Sequence, residues 1–407
     1  MVHGHQIALS SLIIFLLSNQ IIFTSDGSDP TQTDPIGFPG FDDPIVIEGD
    51  SDFTAENGVS SGSGTKSDPY VIENRTIISE DIGGIVIRNT TSHLIIRNCT
   101  IYNYSAPQTI ISGIILYNSS NISVNTCDLY HNYMNIYIYK SENIEVTNST
   151  VRNSTEGIIV DRSYDISIIF NNFYNNSYNS CSLADSNYIL IKNNSYRYNV
   201  YGILIESVYN LTIQNNSFTN NEGGIVSSYV SNGVIKGNRL HNNFDVGFEL
   251  NCWTENLIFS HNNITNNRYG IRISDHSHNN FSISFNNISY NKLIGISSKG
   301  SSLSINDNII MYNNYTGINS AVYSSNVEIN RNLLKSNGHH GLFLIYSTHY
   351  SISNNNIENN PIGIYLRDGY RNNIHYNNIN SNSRNGFEIV GYSQGNLISD
   401  NVFSNNN

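Results

Sequence analysis

The chain has 407 residues and few charged ones, since lysine, arginine, aspartate and glutamate together make up 13%. A globular domain usually has about a quarter. Proline, methionine and tryptophan are also scarce, with 7, 3 and 1 residues. So few charged residues exclude helical bundles and coiled coils, which are rich in glutamate, lysine and arginine. The abundant residues are asparagine (69, roughly 17%) and tyrosine (28). Because isoleucine and tyrosine run through the whole chain and can form a core, generic acidic disorder is excluded as well.

The net charge of −12 is concentrated near the N-terminus. Residues 1–90 hold 13 acidic and 3 basic side chains, a balance of −10, and residues 91–407 hold 19 and 17, a balance of −2. The body of the chain therefore has no basic stripe that could follow a phosphate backbone. This pattern predicts that the protein does not bind nucleic acid.

Residues 7–23 are largely apolar but are interrupted by serine, asparagine and glutamine. The pattern predicts that residues 1–25 are a secretory signal peptide, with an uncleaved N-terminal membrane anchor as the alternative. Residues 26–44 are rich in proline and aspartate and are interpreted as a linker, and residues 45–83 as an N-terminal cap with an irregular first turn. We therefore expect an extracellular or cell-surface location.

A short motif, Gly-Ile-x-Ile and looser versions of it, recurs fourteen times from Gly84 to Gly386 at intervals of 22 to 29 residues. Each interval holds three short stretches in which apolar and polar residues alternate, separated by polar turns. Alternation of this kind is typical of strands, and three strands in 22–25 residues leave no room for a helix. Residues 84–407 are therefore predicted to form a solenoid of parallel strands.

Asparagine also recurs three residues after the second stretch of each interval, eleven times in succession. Stacked amides of this kind can hydrogen-bond from one turn to the next, and asparagine also tolerates the left-handed backbone of a tight turn. The predicted fold is an all-β, right-handed, single-stranded parallel β-helix of about 14 turns with an internal asparagine ladder. The ladder residues are Asn171, Asn194, Asn216, Asn238, Asn262, Asn286, Asn308, Asn332, Asn355, Asn377 and Asn401.

These repeats resemble the PbH1 repeats of the NosD-like right-handed parallel β-helix proteins, in the pectate-lyase-like superfamily. The opening residues 62–77 (GSGTKSDPYVIENRTI) and 93–101 (HLIIRNCTI) resemble the entry segment of that group. The resemblance covers about residues 45–407. It implies a fold rather than an activity, because lyases, hydrolases, epimerases, adhesins and accessory proteins share it.

Cys99 and Cys127 occupy the ladder position in the first two full turns. Stacked neighbours would have Cα atoms about 4.8 Å apart, within the range of a disulfide, so either a disulfide or two buried thiols is expected.

The NosD-like resemblance carries an association with copper, and the segment from Asp50 to Gly58 begins like a calcium loop. Neither the scattered histidines nor that segment has the spacing of a copper or calcium site. No metal and no cofactor are therefore predicted.

The outward face of the first strand of each turn holds the candidate binding residues. Tyrosine rings can stack on sugars while nearby amides and charged groups bind hydroxyls, which makes Tyr117, Tyr137, Tyr139, Asn251 and Arg272 candidate ligand-binding residues. The candidate catalytic carboxylates on the same face are Asp161, Glu206 and Glu249. Asp161 and Glu206, like Glu206 and Glu249, are two turns apart, near the outer limit for an inverting pair of about 9.5 Å. A solvated face without a ligand is the remaining interpretation.

The sequence therefore favours an exported cell-surface β-helix that serves as a structural or carbohydrate-binding module. The expected partner is a polysaccharide or a cell-surface glycan. Two alternatives stay open, namely a polysaccharide lyase or hydrolase acting on the same face and a NosD-like copper accessory protein.

Overall fold

A computed structural model describes residues 41–79, 83–103, 111–274, 278–321 and 324–407. The predicted signal segment and most of the predicted linker lie outside these residues. Apart from one 3-10 turn at Asp50–Asp52, every regular element in the described ranges is a β-strand. The strands follow the chain in groups of three, and each pairs in parallel with its equivalent one turn further on. The structure thus confirms the predicted parallel β-helix.

The strands are numbered β1 to β43 along the chain and form three sheets of parallel strands. The first sheet consists of β1 (Ile45–Ile47), β4 (Ile85–Arg88), β7 (Ser112–Tyr117), β10 (Met134–Tyr139), β13 (Glu156–Asp161), β16 (Asn179–Ala184), the first part of β19 (Tyr201–Gln214) and of β21 (Gly223–Lys236), β23 (Val246–Leu250), β26 (Tyr269–Ile273), β29 (Ile294–Ser298), β32 (Thr316–Ala321), β35 (His340–Ile345), β38 (Ile362–Arg367) and β41 (Asn385–Val390).

The second sheet consists of β2 (Tyr70–Glu73), β5 (Leu94–Arg97), β8 (Ser120–Asn125), β11 (Glu142–Thr147), β14 (Tyr164–Ile169), β17 (Asn187–Lys192), the rest of β19 and β21, β24 (Thr254–Ser260), β27 (His278–Ser284), β30 (Leu303–Asn306), β33 (Glu328–Asn330), β36 (Ser351–Ser353), β39 (Asn373–His375) and β42 (Leu397–Ser399). Because β19 and β21 run round the corner without a break, the first two sheets are continuous.

The third sheet consists of β3 (Thr76–Ile78), β6 (Thr100–Tyr102), β9 (Asp128–Tyr130), β12 (Thr150–Arg152), β15 (Asn172–Tyr174), β18 (Ser195–Arg197), β20 (Ser217–Thr219), β22 (Arg239–His241), β25 (Asn263–Thr265), β28 (Asn287–Ser289), β31 (Ile309–Met311), β34 (Leu333–Lys335), β37 (Asn356–Glu358), β40 (Asn378–Asn380) and β43 (Val402–Ser404).

The core is a column of apolar side chains that point inward from all three sheets. Equivalent residues of successive turns stack in register, as Ile203 does on Ile225. The third sheet contributes stacked rings, with Tyr196 lying 4.6 Å from Phe173 and 4.7 Å from Phe218 between ring centroids. All of these side chains are completely buried. This stacking explains why the same residue types recur at the same position of each repeat.

The repeated glycine lies where the third sheet leads into the first. A Cβ atom built on Gly202 would lie 2.5 Å from the ring of Phe218 and 2.6 Å from the carbonyl oxygen of Gly224. A Cβ atom therefore does not fit into the space at Gly202. The close approach of the backbone and the third-sheet side chains explains the glycine found in most turns, whereas Asn135 and Ser180 occupy the equivalent position in two of them.

The ladder asparagines lie at the corner between the second and third sheets, where each amide bonds to the next turn. Asn194 Nδ2 donates to Asn216 Oδ1 at 3.0 Å, and the backbone N–H of Asn194 donates to the same oxygen at 2.8 Å. Its Nδ2 also donates to the carbonyl of Ile168 in the preceding turn. The backbone groups of the turn are thus satisfied inside the protein, as burial requires.

The ladder asparagines do not adopt the left-handed backbone conformation that the sequence suggests for them. The left-handed backbone conformation belongs to the residue before each ladder asparagine, such as Asn193 (φ 57°) and Asn215 (φ 56°), and not to the ladder residue. The ladder amide points inward, whereas the left-handed residue makes the bend. Asparagine occupies the ladder position in all eleven turns because of these hydrogen bonds, whereas it occupies the left-handed position in only three of them, as Asn193, Asn215 and Asn354.

Two further ladders were not predicted. The first lies at the corner between the third and first sheets, five residues after the asparagine ladder, where Asn176 Nδ2 donates to Asn199 Oδ1 at 3.2 Å. It continues through Asn221, Asn243, Asn267, Asn291, Asn313, Asn337, Asn360, Asn382 and Asn406. A short serine ladder (Ser119, Ser141, Ser163 and Ser186) lies at the corner between the first and second sheets. All three corners of the early turns thus carry polar ladders.

Of the two alternatives for Cys99 and Cys127, the structure has the buried free thiols and not the disulfide. Each sulfur points at the carbonyl oxygens that a ladder amide would bond. The Sγ atom of Cys99 lies 3.3 Å from the Arg97 oxygen, and that of Cys127 lies 3.4 Å from the Asn125 oxygen. The thiols therefore take the place of ladder asparagines and form no disulfide. Across the described ranges no helix is long and apolar enough to cross a membrane.

Candidate functional site

The outward side chains of the first sheet form two parallel columns. Column A contains Tyr137, Ile159, Ser182, Leu204, Val226, Glu249, Arg272, Ser297, Asn319, Phe343, Tyr365 and Glu388 in successive turns. Column B lies two residues further along each strand and contains Tyr117, Tyr139, Asp161, Ala184 and Glu206. We call this surface the first-sheet face.

A tyrosine–aspartate group occupies the N-terminal part of this face. The ring of Tyr139 lies 5.5 Å from that of Tyr117 and 5.8 Å from that of Tyr137. Arg162 Nη1 donates to the hydroxyl of Tyr139 at 2.9 Å, and Arg162 Nε lies 3.9 Å from Asp161 Oδ1. These five side chains, three of them aromatic, therefore form one connected cluster.

The side chains of this group are more buried than those of a face that is open to solvent. Tyr137, Tyr139 and Asp161 are 4%, 6% and 1% exposed, and Tyr117 is the partly exposed ring. Asp161 Oδ2 has no hydrogen-bond partner among the described residues. Burial raises the pKa of Asp161 to about 6, against the opposing effect of the Arg162 charge. A buried carboxylate oxygen without a donor is a feature that a water molecule or a ligand hydroxyl would satisfy.

Glu156, at the start of β13, is a buried carboxyl group that the sequence argument missed. It accepts hydrogen bonds from Asn179 Nδ2 at 3.3 Å and from Ser182 Oγ at 3.1 Å, both neutral donors. Burial raises the pKa of Glu156 to about 8, although these hydrogen bonds lower it. The group is therefore mostly protonated at pH 7. The sequence does contain a signal for this group, because Glu156 stands immediately before the repeat glycine, where most other turns have a neutral residue.

An arginine group lies in the middle of the face. Arg272 donates to both carboxylate oxygens of Glu249, at 2.7 and 2.8 Å, and to Asp245 at 2.7 Å. Its guanidinium also lies 5.2 Å from the ring centroid of Tyr269. Glu249 is therefore held in an ion pair, which makes it a binding or structural residue and a poor candidate for a catalytic acid.

An aromatic group lies towards the C-terminal end of the face. The rings of Phe343 and Tyr365 stack at 5.0 Å with an interplanar angle of 12°. The imidazole of His340 lies 4.7 Å from Phe343 and 5.5 Å from Tyr365. Phe343 and Tyr365 are partly exposed, whereas His340 is buried.

The remaining candidate residues lie apart from these groups. Glu206 is partly exposed and follows Asp161 in column B with Ala184 between them, whereas Glu249 is in column A. Asn251 follows β23, and its Nδ2 atom has no hydrogen-bond partner in the described part of the chain. The structure therefore groups Tyr117, Tyr137, Tyr139 and Asp161, and separately Glu249 and Arg272, but it does not bring the three carboxylates together.

Among the described residues, no three histidine, cysteine, aspartate or glutamate side chains are placed to hold a metal ion. Residues 104–110 and 275–277, which include His276, lie outside the described ranges. The absence of a cofactor stays a prediction.

Three solved structures with a similar course of the chain are those of a periplasmic alginate epimerase AlgG, the A-module of the mannuronan C-5 epimerase AlgE6 of Azotobacter vinelandii, and the surface adhesin PfbA of Streptococcus pneumoniae. Their identities to this chain are 15%, 12% and 14%, with TM-scores of 0.46, 0.44 and 0.40. The alignments cover 89%, 88% and 80% of this chain and 83%, 99% and 83% of the respective other chain.

No curated protein matches the sequence. The family model for a right-handed beta helix region matches residues 134–288 and 294–407, which is more than half of the chain. The NosD-like type stays a prediction, but the repeats, the three parallel sheets and this match agree on the family. The chain belongs to the right-handed beta helix family.

Proposed function

We propose that the protein is an exported, cell-surface, NosD-like β-helix that binds a polysaccharide along the first-sheet face. The observation that carries the proposal is the tyrosine–aspartate group, in which Asp161 Oδ2 lacks a donor beside the partly exposed ring of Tyr117. A sugar offers a hydroxyl that can donate to the Asp161 carboxylate and an apolar face that can stack on an aromatic ring.

Three features support binding without turnover. Asp161 and Glu206 have another residue between them in column B, so their separation is about 9.6 Å at the usual strand spacing, the outer limit for an inverting pair. Glu249 is committed to Arg272. Glu156 is buried and bonded to neutral donors. The enzyme alternative rests on the raised pKa of Asp161, which suits an acid or base near neutral pH.

The test is affinity electrophoresis and calorimetry with laminarin, mannan, xylan, polygalacturonate and alginate. We expect the wild-type protein to bind at least one of these polymers. Tyr117→Ala and Asp161→Asn should each weaken that binding about tenfold or more, since each removes one stacking or hydrogen-bonding contact. Phe170→Asn is the matched control, because Phe170 is an exposed ring in the same turn as Asp161 but at the corner between the second and third sheets.

Failure to bind any polymer of the panel would overturn the proposal. So would new reducing ends or unsaturated uronates that Asp161→Asn or Glu206→Gln abolishes, because these would establish the enzyme alternative. The copper alternative predicts stoichiometric copper in protein purified without a tag, and we expect none.

A further inference from the structure

The corner between the second and third sheets carries a repeated asparagine in the N-terminal half of the solenoid. Two residues before each third-sheet strand, the chain bends through one residue with a left-handed backbone. Before five of the first seven third-sheet strands this bend residue is asparagine, and each of these five strands begins with threonine or serine. The pairs are Asn74 with Thr76, Asn98 with Thr100, Asn148 with Thr150, Asn193 with Ser195, and Asn215 with Ser217.

At this corner the hydroxyl residue never occurs without the asparagine. Five of the fifteen third-sheet strands begin with serine or threonine, and asparagine is the bend residue before every one of them. Before the other ten strands the bend residue is asparagine only once, as Asn354. The fold does not require asparagine here, because phenylalanine, histidine, aspartate, arginine and tyrosine form the same bend in later turns.

The corner between the first and second sheets has no such pairing. There Asn143 and Asn256 are bend residues without a hydroxyl residue two positions later, and Ser167 follows the bend residue Asp165. A composition rich in asparagine and serine therefore does not by itself produce the pairing. Asn-x-Ser/Thr, with x other than proline, is the acceptor sequence for N-glycosylation in exported proteins.

The five bend asparagines are accessible to a modifying enzyme. All of them are exposed except Asn193, which is partly exposed. Within the described ranges their amide nitrogens donate no hydrogen bond. The neighbouring ladder residue Asn194, by contrast, is buried and donates from Nδ2 to Asn216 and Ile168. The structure thus separates outward asparagines that precede a hydroxyl residue from inward asparagines that form the ladder.

We propose that Asn74, Asn98, Asn148, Asn193 and Asn215 are N-glycosylation sites. The inference rests on the export that is part of the proposed function, because this modification takes place on chains that cross a membrane. In the reaction, the asparagine Nδ2 atom attacks C1 of the first sugar of a lipid-phosphate-linked oligosaccharide. A C–N bond forms, the C1–O bond to the lipid phosphate breaks, Nδ2 loses one proton and the lipid phosphate leaves as an anion. The step requires no oxidant or reductant.

The glycans lie on the one corner that does not border the first sheet. The third-sheet register places the five sites in one row, with Thr76 next to Thr100 and Ser195 next to Ser217. Six register steps separate the first site from the last, which is about 29 Å at about 4.8 Å for each step. Glycans on this row cover one edge of the solenoid and leave the first-sheet face uncovered.

The experiment is glycopeptide mass spectrometry of the full chain purified from the surface of the cells that naturally produce it. We expect a glycan on Asn148 and on at least one member of each adjacent pair, Asn74/Asn98 and Asn193/Asn215, since neighbours about 4.8 Å apart compete for the same space. Asn354 is the internal control, because it forms the same bend without the hydroxyl residue and should be unmodified.

Two variants made in the same cells test the acceptor sequence. Thr150→Ala keeps Asn148 but removes the hydroxyl, and we expect the loss of the glycan from Asn148 alone. Asn356→Ser completes an acceptor sequence at Asn354, and we expect the gain of one glycan there. Unchanged circular dichroism is the check that both variants keep the fold.

The outcomes separate this inference from the proposed function. An unmodified Asn148, or an adjacent pair without a glycan, in protein from the cell surface would overturn the glycosylated row and leave the proposed polysaccharide binding standing. Retention of the glycan by Thr150→Ala would overturn it as well. Protein found only inside the cell would overturn export, and with it both proposals.

Discussion

Asn216 donates a hydrogen bond from Nδ2 to Oδ1 of Asn238, 22 residues further along the chain, at 3.1 Å. The same Nδ2 also donates to the carbonyls of Ile191 and Gln214, and the backbone N–H of Asn216 donates to the Asn238 oxygen. One side chain thus connects three successive turns. Its removal would leave several buried polar groups of two turns without partners.

Asn216→Ala is therefore expected to lower the free energy of unfolding by about 3 kcal/mol, because unpaired buried donors and acceptors cost about 1–3 kcal/mol each. Urea denaturation followed by circular dichroism measures this change. Asn263→Ala is the matched control, since Asn263 is an exposed asparagine at the start of a third-sheet strand. Equal effects of the two variants would contradict the structural role of the ladder.

Removal of the Tyr196 hydroxyl group is expected to stabilise the protein, in contrast to removal of a ladder amide. Tyr196 is completely buried between Phe173 and Phe218, and its oxygen has no hydrogen-bond partner within the described residues. Tyr196→Phe removes an unsatisfied polar atom and keeps the stacked ring. We expect it to raise the free energy of unfolding by about 1 kcal/mol, measured in the same urea assay. A loss of stability would show that the hydroxyl has a partner, such as a buried water molecule.

Glu156 predicts how stability depends on pH. Its folded-state pKa, about 8, is above its ordinary value of 4.5, so the folded protein binds more protons than the unfolded chain between these two values. The contribution of Glu156 to stability is therefore greatest at low pH and decreases as the pH rises from about 4.5 to 8.

Glu156→Gln keeps the shape of the side chain and cannot ionise. We expect its melting temperature to rise relative to that of the wild type as the pH increases from 5 to 8. The exposed Glu142→Gln is the control. A constant difference between Glu156→Gln and the wild type over this range would contradict the burial of a carboxyl group at this position.

Asp161 predicts how polysaccharide binding depends on pH. Its pKa is about 6, and only the ionised form accepts hydrogen bonds through both oxygens. Affinity for the bound polymer should fall by up to tenfold for each pH unit below about 6 and be constant above about 7. Tyr117→Ala should bind more weakly with the same pH profile, whereas Asp161→Asn should bind weakly without one. A flat profile in the wild type would exclude Asp161 from the contact.

The sequence predicts the β-helix because each turn repeats the same few physical requirements. The alternation of apolar residues identifies the strands, and the glycine at the corner is visible because no side chain fits beside Phe218 and Gly224. The second ladder is also visible in the sequence, since Asn176 and its equivalents follow the first ladder by five residues.

The groups on the first-sheet face were less predictable. Position in the repeat places Asp161 and Tyr139 on one face, but their burial depends on side chains from several turns and on Arg162, which lies at the bend. The ion pair between Arg272 and Asp245 could not be predicted from positions in column A, because Asp245 precedes strand β23 and is not part of that column. Cys99 and Cys127 stack as predicted, but their sulfur atoms bond to carbonyl oxygens.

The central claim is that a polysaccharide lies along the first-sheet face, and side-chain oxidation footprinting of the protein with and without the bound polymer tests it most directly. The account predicts protection of Tyr117, which is on that face, and unchanged oxidation of Phe285 and Tyr376, which are exposed at the corner between the second and third sheets. Protection of Phe285 and Tyr376 with none at Tyr117 would contradict it.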